Sequence, residues 1–117
     1  MRLERRFALK GYLDIRLVDQ STDALIGYLA DVSVGGFRVA CEEAVAPDSM
    51  LRVELKIQVR EGKFRSLSLP VMCKWSRRDS RLKRFNVGFQ LAEPNAAYVD
   101  WLAEVRLLIK LSRRQQP

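Results

Sequence analysis

Two polar clusters in this sequence contain residue types that bind anionic groups. The first is Arg2-Leu3-Glu4-Arg5-Arg6, with the spacing Arg-x-x-x-Arg, and the second is Asp31-Val32-Ser33-Val34-Gly35-Gly36. A guanidinium group presents a planar fork that binds a phosphate through two hydrogen bonds. Neither cluster is needed to build a hydrophobic core, so both are candidates for function.

The overall charge favours an anionic partner and the composition excludes much enzymology. The chain has 21 Lys and Arg against 14 Asp and Glu, a formal net charge of +7, which favours a nucleotide, a nucleic acid or an acidic protein surface. It has no histidine and only two cysteines, too few for a zinc site, a nucleophile–histidine pair or a disulfide scaffold. We therefore predict a binding protein with no catalytic residues, no metal and no cofactor.

The length and hydropathy of the chain indicate one globular domain. With 117 residues and 48% hydrophobic content, it can form a core but not a second domain. Its apolar stretches are interrupted by charges well before the roughly 20 residues that a membrane span needs. The charged N-terminus does not resemble a signal peptide, so we expect a cytoplasmic protein.

Alternation of apolar and polar residues indicates six strands. It is strictest from Leu51 to Val59, and a charged stretch from Ser76 to Arg84 is expected to form a mobile, solvated hairpin. The other five segments are Phe7–Leu17, Leu25–Val32, Phe37–Cys41, Leu67–Trp75 and Phe85–Leu91. Short antiparallel strands with one buried face must hide that face and their edges, so we predict a small β-barrel over residues 7–92.

The period changes after Pro94. Apolar residues from Tyr98 to Ile109 recur at spacings of three and four, which predicts an amphipathic helix over residues 95–112. The helix should start at Pro94 or Asn95 and cap the barrel.

Three residues with special chemistry fall in the apolar phase of their strands. Cys41 and Cys73 are therefore expected to be buried, reduced thiols. Trp75 could stack a nucleic-acid base, but the same phase predicts that it belongs to the core.

The order and position of the two polar clusters resemble the PilZ domain, the bacterial receptor module for cyclic di-GMP. That family carries Arg-x-x-x-Arg before its first strand and [Asp/Asn]-x-Ser-x-x-Gly after its second, on a six-stranded barrel often followed by a C-terminal helix. The resemblance covers nearly the whole chain, and Asn86-Val87-Gly88-Phe89 looks like the family's Val-Gly-x-x-Phe ending. It implies an all-β fold, a six-stranded antiparallel barrel capped by one helix, in a single domain over residues 1–117.

The resemblance also implies a cyclic di-GMP site. Arginine forks would bind the phosphodiesters or the O6/N7 edge of guanine, and ionised Asp31 would accept hydrogen bonds from guanine N1 and N2. The Ser33 hydroxyl and the amides around Gly35 and Gly36 would reach the ribose-phosphate or the remaining base edge, with glycine permitting a positive φ and close backbone approach. The implied ligand-binding residues are Arg2, Arg5, Arg6, Asp31, Ser33, Gly35 and Gly36.

Two registers of the arginine motif are open. Arg2 and Arg6 are preferred, because the residues from Phe7 onward then follow in the alternating phase that the family shows. The alternative pairs Arg6 with Lys10. Arg5 would suit a ligand that enters this family as a stacked dimer.

We hypothesise that the ligand draws a flexible arginine arm, residues 1–6, onto the barrel near Asp31 and Ser33, and that this switch is relayed to an unidentified downstream protein or domain. One alternative is a PilZ-like adaptor that binds no ligand and acts through protein contacts. Another is a basic barrel that binds RNA or single-stranded DNA, which the lack of regularly exposed aromatic residues disfavours. In the simplest alternative, the arginines are a solvated arm and residues 31–36 are only a turn.

Overall fold

Antiparallel strands and one C-terminal helix form the described part of the chain. The computed structural model describes residues 7–8, 14–60 and 62–115. The elements are β1 Phe7–Ala8, β2 Ile15–Asp19, β3 Leu25–Ser33, β4 Gly36–Cys41, β5 Met50–Arg60, β6 Lys63–Asp79, β7 Arg84–Leu91 and α1 Ala96–Gln115.

The six longer strands close into a barrel. Hydrogen-bonded neighbours follow the order β3, β2, β5, β6, β7 and β4, and β4 pairs again with β3. Closure leaves no long strand edge free to pair with another chain. The short strand β1 adds to β3, with Phe7 opposite Val32. The predicted six-stranded antiparallel barrel followed by one helix is confirmed.

Alternating apolar residues fill the interior of the barrel. On β5, Val53, Leu55 and Ile57 are at most 3% exposed, while the residues between them are partly or fully exposed. Fully burying one such side chain contributes about 1.5–3 kcal/mol. The strict period that predicted β5 therefore reflects a strand with one buried face.

The helix α1 covers one end of the barrel. Asn95 fixes its start, because the side-chain oxygen accepts a hydrogen bond from the Tyr98 backbone N–H at 2.9 Å. Tyr98 is fully buried beside Phe37, with their ring centroids 6.4 Å apart. The predicted start and capping position of the helix are confirmed, and the helix continues past the expected end at Ser112 to Gln115.

Two β-bulges change the direction of side chains on β3 and β6. The register shifts between Leu29 and Asp31 on β3, and between Cys73 and Trp75 on β6. Residues on either side of a bulge that share a sequence phase point to opposite faces of a sheet. Leu29 and Cys73 are therefore buried, whereas Asp31 and Trp75 lie on the outer surface and are only partly buried. The prediction that Trp75 belongs to the core is wrong for this reason.

The charged stretch from Ser76 to Arg84 is more regular than its composition suggests. Strand β6 continues to Asp79, and the turn is confined to residues 80–83. The Asp79 carboxylate accepts hydrogen bonds from the backbone N–H groups of Arg81 and Leu82, at 3.0 and 3.3 Å, which fixes the turn. The hairpin is confirmed, and its mobility stays a prediction.

Both cysteines are free and buried, as predicted. Burial raises the pKa of the Cys41 thiol to about 11, with a smaller effect from the neighbouring Cys73, and burial also raises the pKa of Cys73. The thiolate is the nucleophilic and metal-binding form of cysteine. Neither thiol is therefore reactive near neutral pH.

Candidate functional site

Asp31 and Arg38 form a cross-strand ion pair on the outer surface of the barrel. Asp31 on β3 is the register partner of Arg38 on β4, and Arg38 Nε donates a hydrogen bond to Asp31 Oδ2 at 2.8 Å. The two side chains are 13% and 37% exposed, Asp31 being the more enclosed. The carboxylate that the sequence singled out thus lies at the surface and already binds a guanidinium group.

Ser33 lies beneath the turn that joins β3 to β4. Its residue is 1% exposed, and its hydroxyl donates a hydrogen bond to the Gly36 carbonyl oxygen at 3.3 Å. The Tyr98 hydroxyl, which comes from α1, donates to the Ser33 carbonyl oxygen at 2.6 Å and lies 3.1 Å from the Gly36 carbonyl oxygen. Ser33 therefore stabilises the turn in this structure, and the expected contact of its hydroxyl with a ligand stays a prediction.

Of the two glycines in the turn, Gly36 is explained by close packing rather than by backbone conformation. Neither Gly35 nor Gly36 has a positive φ, so that part of the sequence prediction is wrong. A Cβ on Gly36 would lie 2.1 Å from the Phe89 carbonyl oxygen, which no real side chain could do. The Gly35 carbonyl accepts a hydrogen bond from the Leu91 N–H at 3.0 Å. The predicted close approach of the glycine backbone to a ligand stays a prediction.

The short strand β1 follows the first polar cluster in the sequence and pairs with the second. Its register places Phe7 opposite Val32 and Ala8 opposite Asp31. The residue that follows Arg6 in the sequence is therefore paired with the beginning of the Asp31–Gly36 segment. The predicted ligand residues Arg2, Arg5 and Arg6, the alternative Lys10 and the expected mobility of residues 1–6 all lie outside the described residues.

Four register partners form a line across the outer surface, which we call the outer row. Asp31 pairs with Arg38, Arg38 with Gly88, and Gly88 with Trp75. The indole of Trp75 lies against Gly88, where an added Cβ would be 2.3 Å from its Nε1 atom. The Arg77 guanidinium carbon lies over the indole, 5.2 Å from the ring centroid. The outer row thus combines a carboxylate, a guanidinium group and an aromatic ring, and Arg77 adds a second guanidinium group beside it.

The sequence patterns did not single out Arg38, Gly88 or Arg77 as site residues, and they considered Trp75 as a stacking residue but assigned it to the core. The sequence nevertheless contains a signal of the bulges. Arg77 lies two residues after Trp75, and Asp31 lies two residues after Leu29, so each charged residue falls at an alternating position that otherwise carries apolar residues. Charged residues in the phase of a buried face indicate that the phase changes, as it does at a bulge. Applied to β6, that signal predicts an outward Trp75.

A broad groove lies at the other end of the β3–β4 pair. It is about 770 Å³ in volume and is lined by Gly27, Tyr28 and Ala40 together with the acidic residues Glu42 and Glu43. Lys83 and Arg84 also line it, so its charge is mixed, and none of the described candidate ligand residues lines it. Within residues 7–8, 14–60 and 62–115, there is no group of three potential metal ligands and no helix long and apolar enough to span a bilayer.

The family comparison covers most of the chain. The model of the PilZ domain matches residues 2–107. No curated protein matches the sequence.

Two solved structures share the fold. The PilZ domain with c-di-GMP of YcgR from Escherichia coli has a TM-score of 0.66 and 11% identity, over 97% of this chain and 95% of that chain. The Bacillus subtilis inhibitor of motility, MotI/DgrA, has a TM-score of 0.58 and 17% identity, over 99% of this chain. This chain spans about half of the latter, 51% of its length. At these identities the similarity establishes the barrel and its helix.

Proposed function

This chain belongs to the PilZ domain family, and on that premise we propose that it is a cytoplasmic receptor for cyclic di-GMP and catalyses no reaction. Family membership supports a ligand-binding or adaptor role. A structure with the same fold, the YcgR PilZ domain, is described with c-di-GMP. The net charge of +7 suits a ligand with two phosphodiesters.

The observation that carries the proposal is the pairing of β1 with β3. Phe7, the residue that follows the Arg-x-x-x-Arg motif in the sequence, pairs with Val32 of the Asp-x-Ser-x-x-Gly motif. Guanidinium groups and a carboxylate placed together match the phosphates and the donor edge of guanine, respectively.

Arg38 has a defined part in ligand binding. It donates one N–H to Asp31, whereas guanine offers two adjacent donors, N1–H and N2–H, to the same carboxylate. Guanine therefore offers the carboxylate two donors where Arg38 Nε supplies one. The released Arg38 guanidinium is then available for a phosphodiester.

Tyr98 provides a route from this site to the rest of the protein. Its hydroxyl holds the Ser33 carbonyl oxygen, so a ligand that moves the β3–β4 turn also pulls on the first turn of α1. Together with closure of the arginine arm, this contact would relay binding to a partner protein or domain.

An adaptor that binds no ligand is the second candidate. Two observations favour it: Arg38 already occupies Asp31, and the Ser33 hydroxyl is enclosed beneath the turn. The fold is also shared with an inhibitor of motility. In this case the surface near α1 would contact a protein directly.

Calorimetric titration of the full chain with cyclic di-GMP separates the two candidates. We expect the wild type to bind at about micromolar affinity or tighter, and Asp31→Ala to bind at least about tenfold more weakly, a loss of about 1.4 kcal/mol. The matched control is Glu54→Ala, because Glu54 is an acid on β5 paired with Lys56 at 3.3 Å and lies outside the outer row. Absence of binding by the wild type would favour the adaptor, and equal binding by all three would reject the site.

A further inference from the structure

We propose that the outer face of α1 is the interface of a homodimer, in which the helix packs against the same helix of a second copy of this chain. The interface residues follow one another at intervals of four and are Val99, Ala103, Leu107 and Leu111, which we call the outer stripe. This inference goes beyond the proposed receptor function, because it does not depend on whether a ligand binds to the barrel.

The helix is apolar on two faces, and the barrel covers only one of them. Tyr98 and Val105 pack on the barrel and are at most 1% exposed. On the opposite face, Val99, Leu107 and Leu111 are 55%, 58% and 44% exposed. A helix that packs on a single core normally has one apolar face and a polar face opposite it. The second apolar face therefore indicates a second packing partner.

The spacing of the outer stripe suits the packing of one helix on another. From Val99 to Leu111 the helix rises about 18 Å, and side chains that lie four residues apart form a continuous ridge. Ridges of this kind interdigitate when two helices cross at about −50°, which is the commonest packing in globular proteins. Ala103 is small and exposed near the middle of the ridge, so a leucine of the second helix has room to pack there.

Charged residues of opposite sign lie on the two sides of the outer stripe. At about 100° a residue, Asp100 and Glu104 fall on one side of the stripe, and Arg106 and Lys110 fall on the other. Asp100, Arg106 and Lys110 are exposed, and Glu104, which accepts a hydrogen bond from Arg65, is partly buried. An anionic membrane surface would favour basic residues on both sides. The pattern instead matches a partner that carries the same pattern.

A twofold axis that runs along the two helices makes this charge pattern self-complementary. The helices then point the same way, and the acidic side of each stripe faces the basic side of the other, twice in one dimer. In this arrangement Asp100 faces the second copy's Arg106, and Glu104 faces the second copy's Lys110. An antiparallel pair would place acidic side against acidic side, so the charges select the parallel arrangement.

The test is the oligomeric state of the full chain, measured by sedimentation equilibrium. The interface is small, so we expect a monomer–dimer equilibrium with a dissociation constant of about 10–100 μM. Leu107→Ser should raise that constant at least about tenfold, because it removes an apolar contact from the middle of the interface. The matched control is Leu82→Ser, which should dimerise like the wild type. Leu82 is equally exposed, at 57%, but it lies in the β6–β7 turn and not on the helix.

Charge reversal tests the arrangement of the two helices. Asp100→Arg should raise the dissociation constant of the dimer about threefold to tenfold, because the new guanidinium group faces Arg106 of the second copy. Adding Arg106→Asp to the same chain should restore the wild-type value, since opposite charges again face each other. A dimer that becomes tighter in Asp100→Arg would overturn the parallel arrangement.

The remaining outcomes decide whether the outer stripe is the interface. A wild type that stays monomeric up to about 300 μM, well above the expected dissociation constant, rejects the homodimer and leaves the outer stripe for a different partner. If Leu107→Ser, folded by circular dichroism, dimerises as well as Leu82→Ser, the dimer forms through another surface and the proposal is rejected. Cyclic di-GMP binding is a separate measurement, so the failure of either proposal leaves the other standing.

Discussion

The paired strands β5 and β6 both alternate apolar and polar residues, but they differ in which side chains they bring to the outer surface. On β5, Val53, Leu55 and Ile57 are buried. β6 follows the same rule as far as Cys73, and then a bulge turns Trp75 to the outer surface. Regular alternation thus builds the interior, and an interruption of it delivers a side chain to the surface.

β3 repeats the arrangement of β6. Its bulge after Leu29 turns Asp31 outward, although the two residues share a sequence phase. Between the bulged strands lie β4 and β7, which pair without interruption from Gly36 to Cys41. The outer row therefore has at each end a side chain that a bulge turns outward, Asp31 and Trp75, with a regular pair of strands between them.

The largest expected effect comes from the regular strand. Leu55→Ala removes a fully buried side chain from β5 and should lower the free energy of unfolding by about 3 kcal/mol. Trp75→Ala on β6 should cost much less, because its ring is only partly buried. Urea unfolding checks both, with Gln58→Ala, an exposed site on β5, as the control. If Trp75→Ala lowered the free energy of unfolding more than Leu55→Ala, the result would contradict the placement of Leu55 in the interior and of Trp75 on the outer surface.

The pH dependence of the free energy of unfolding tests whether the Cys41 thiol is buried in the barrel interior. Burial raises its pKa to about 11 from the ordinary 9.0, so the folded state favours the neutral thiol. Stability is therefore complete below pH 9 and is lost as the pH rises towards 11, by about 2 kcal/mol. The loss is measured by comparing how the free energies of unfolding of the wild type and of Cys41→Ala change as the pH rises. If the two proteins lost stability equally with rising pH, burial would not raise the pKa of this thiol.

Gly88 should give a smaller effect that is specific to the bulged region. Gly88→Ala places a Cβ 2.3 Å from the Trp75 ring, which must move, at a cost of about 1–2 kcal/mol. In a Trp75→Ala background the obstruction is absent, so the same substitution should cost little. A double-mutant cycle by thermal unfolding measures this coupling. Equal costs in both backgrounds would mean that the indole does not rest on Gly88.

The sequence predicted the barrel, the helix and the Asn95 start because these follow from apolar periodicity and capping chemistry. It also identified Asp31 and Ser33, because a short motif at a strand border is visible without coordinates. It placed Trp75 in the core, since sequence phase alone does not reveal the bulge that reverses it. Arg38 and Gly88 belong to the outer row through pairing between distant strands, which no local pattern records.

A titration of the ¹⁵N-labelled protein with cyclic di-GMP, followed by amide and indole NMR signals, tests the central claim most directly. If the ligand binds along the outer row, the amides of Asp31, Arg38 and Gly88 and the indole N–H of Trp75 should shift together. The amides from Val53 to Ile57 on β5 should stay unchanged, because that strand lies outside the row. Largest shifts on β5, or saturation without any shift in the outer row, would contradict the account.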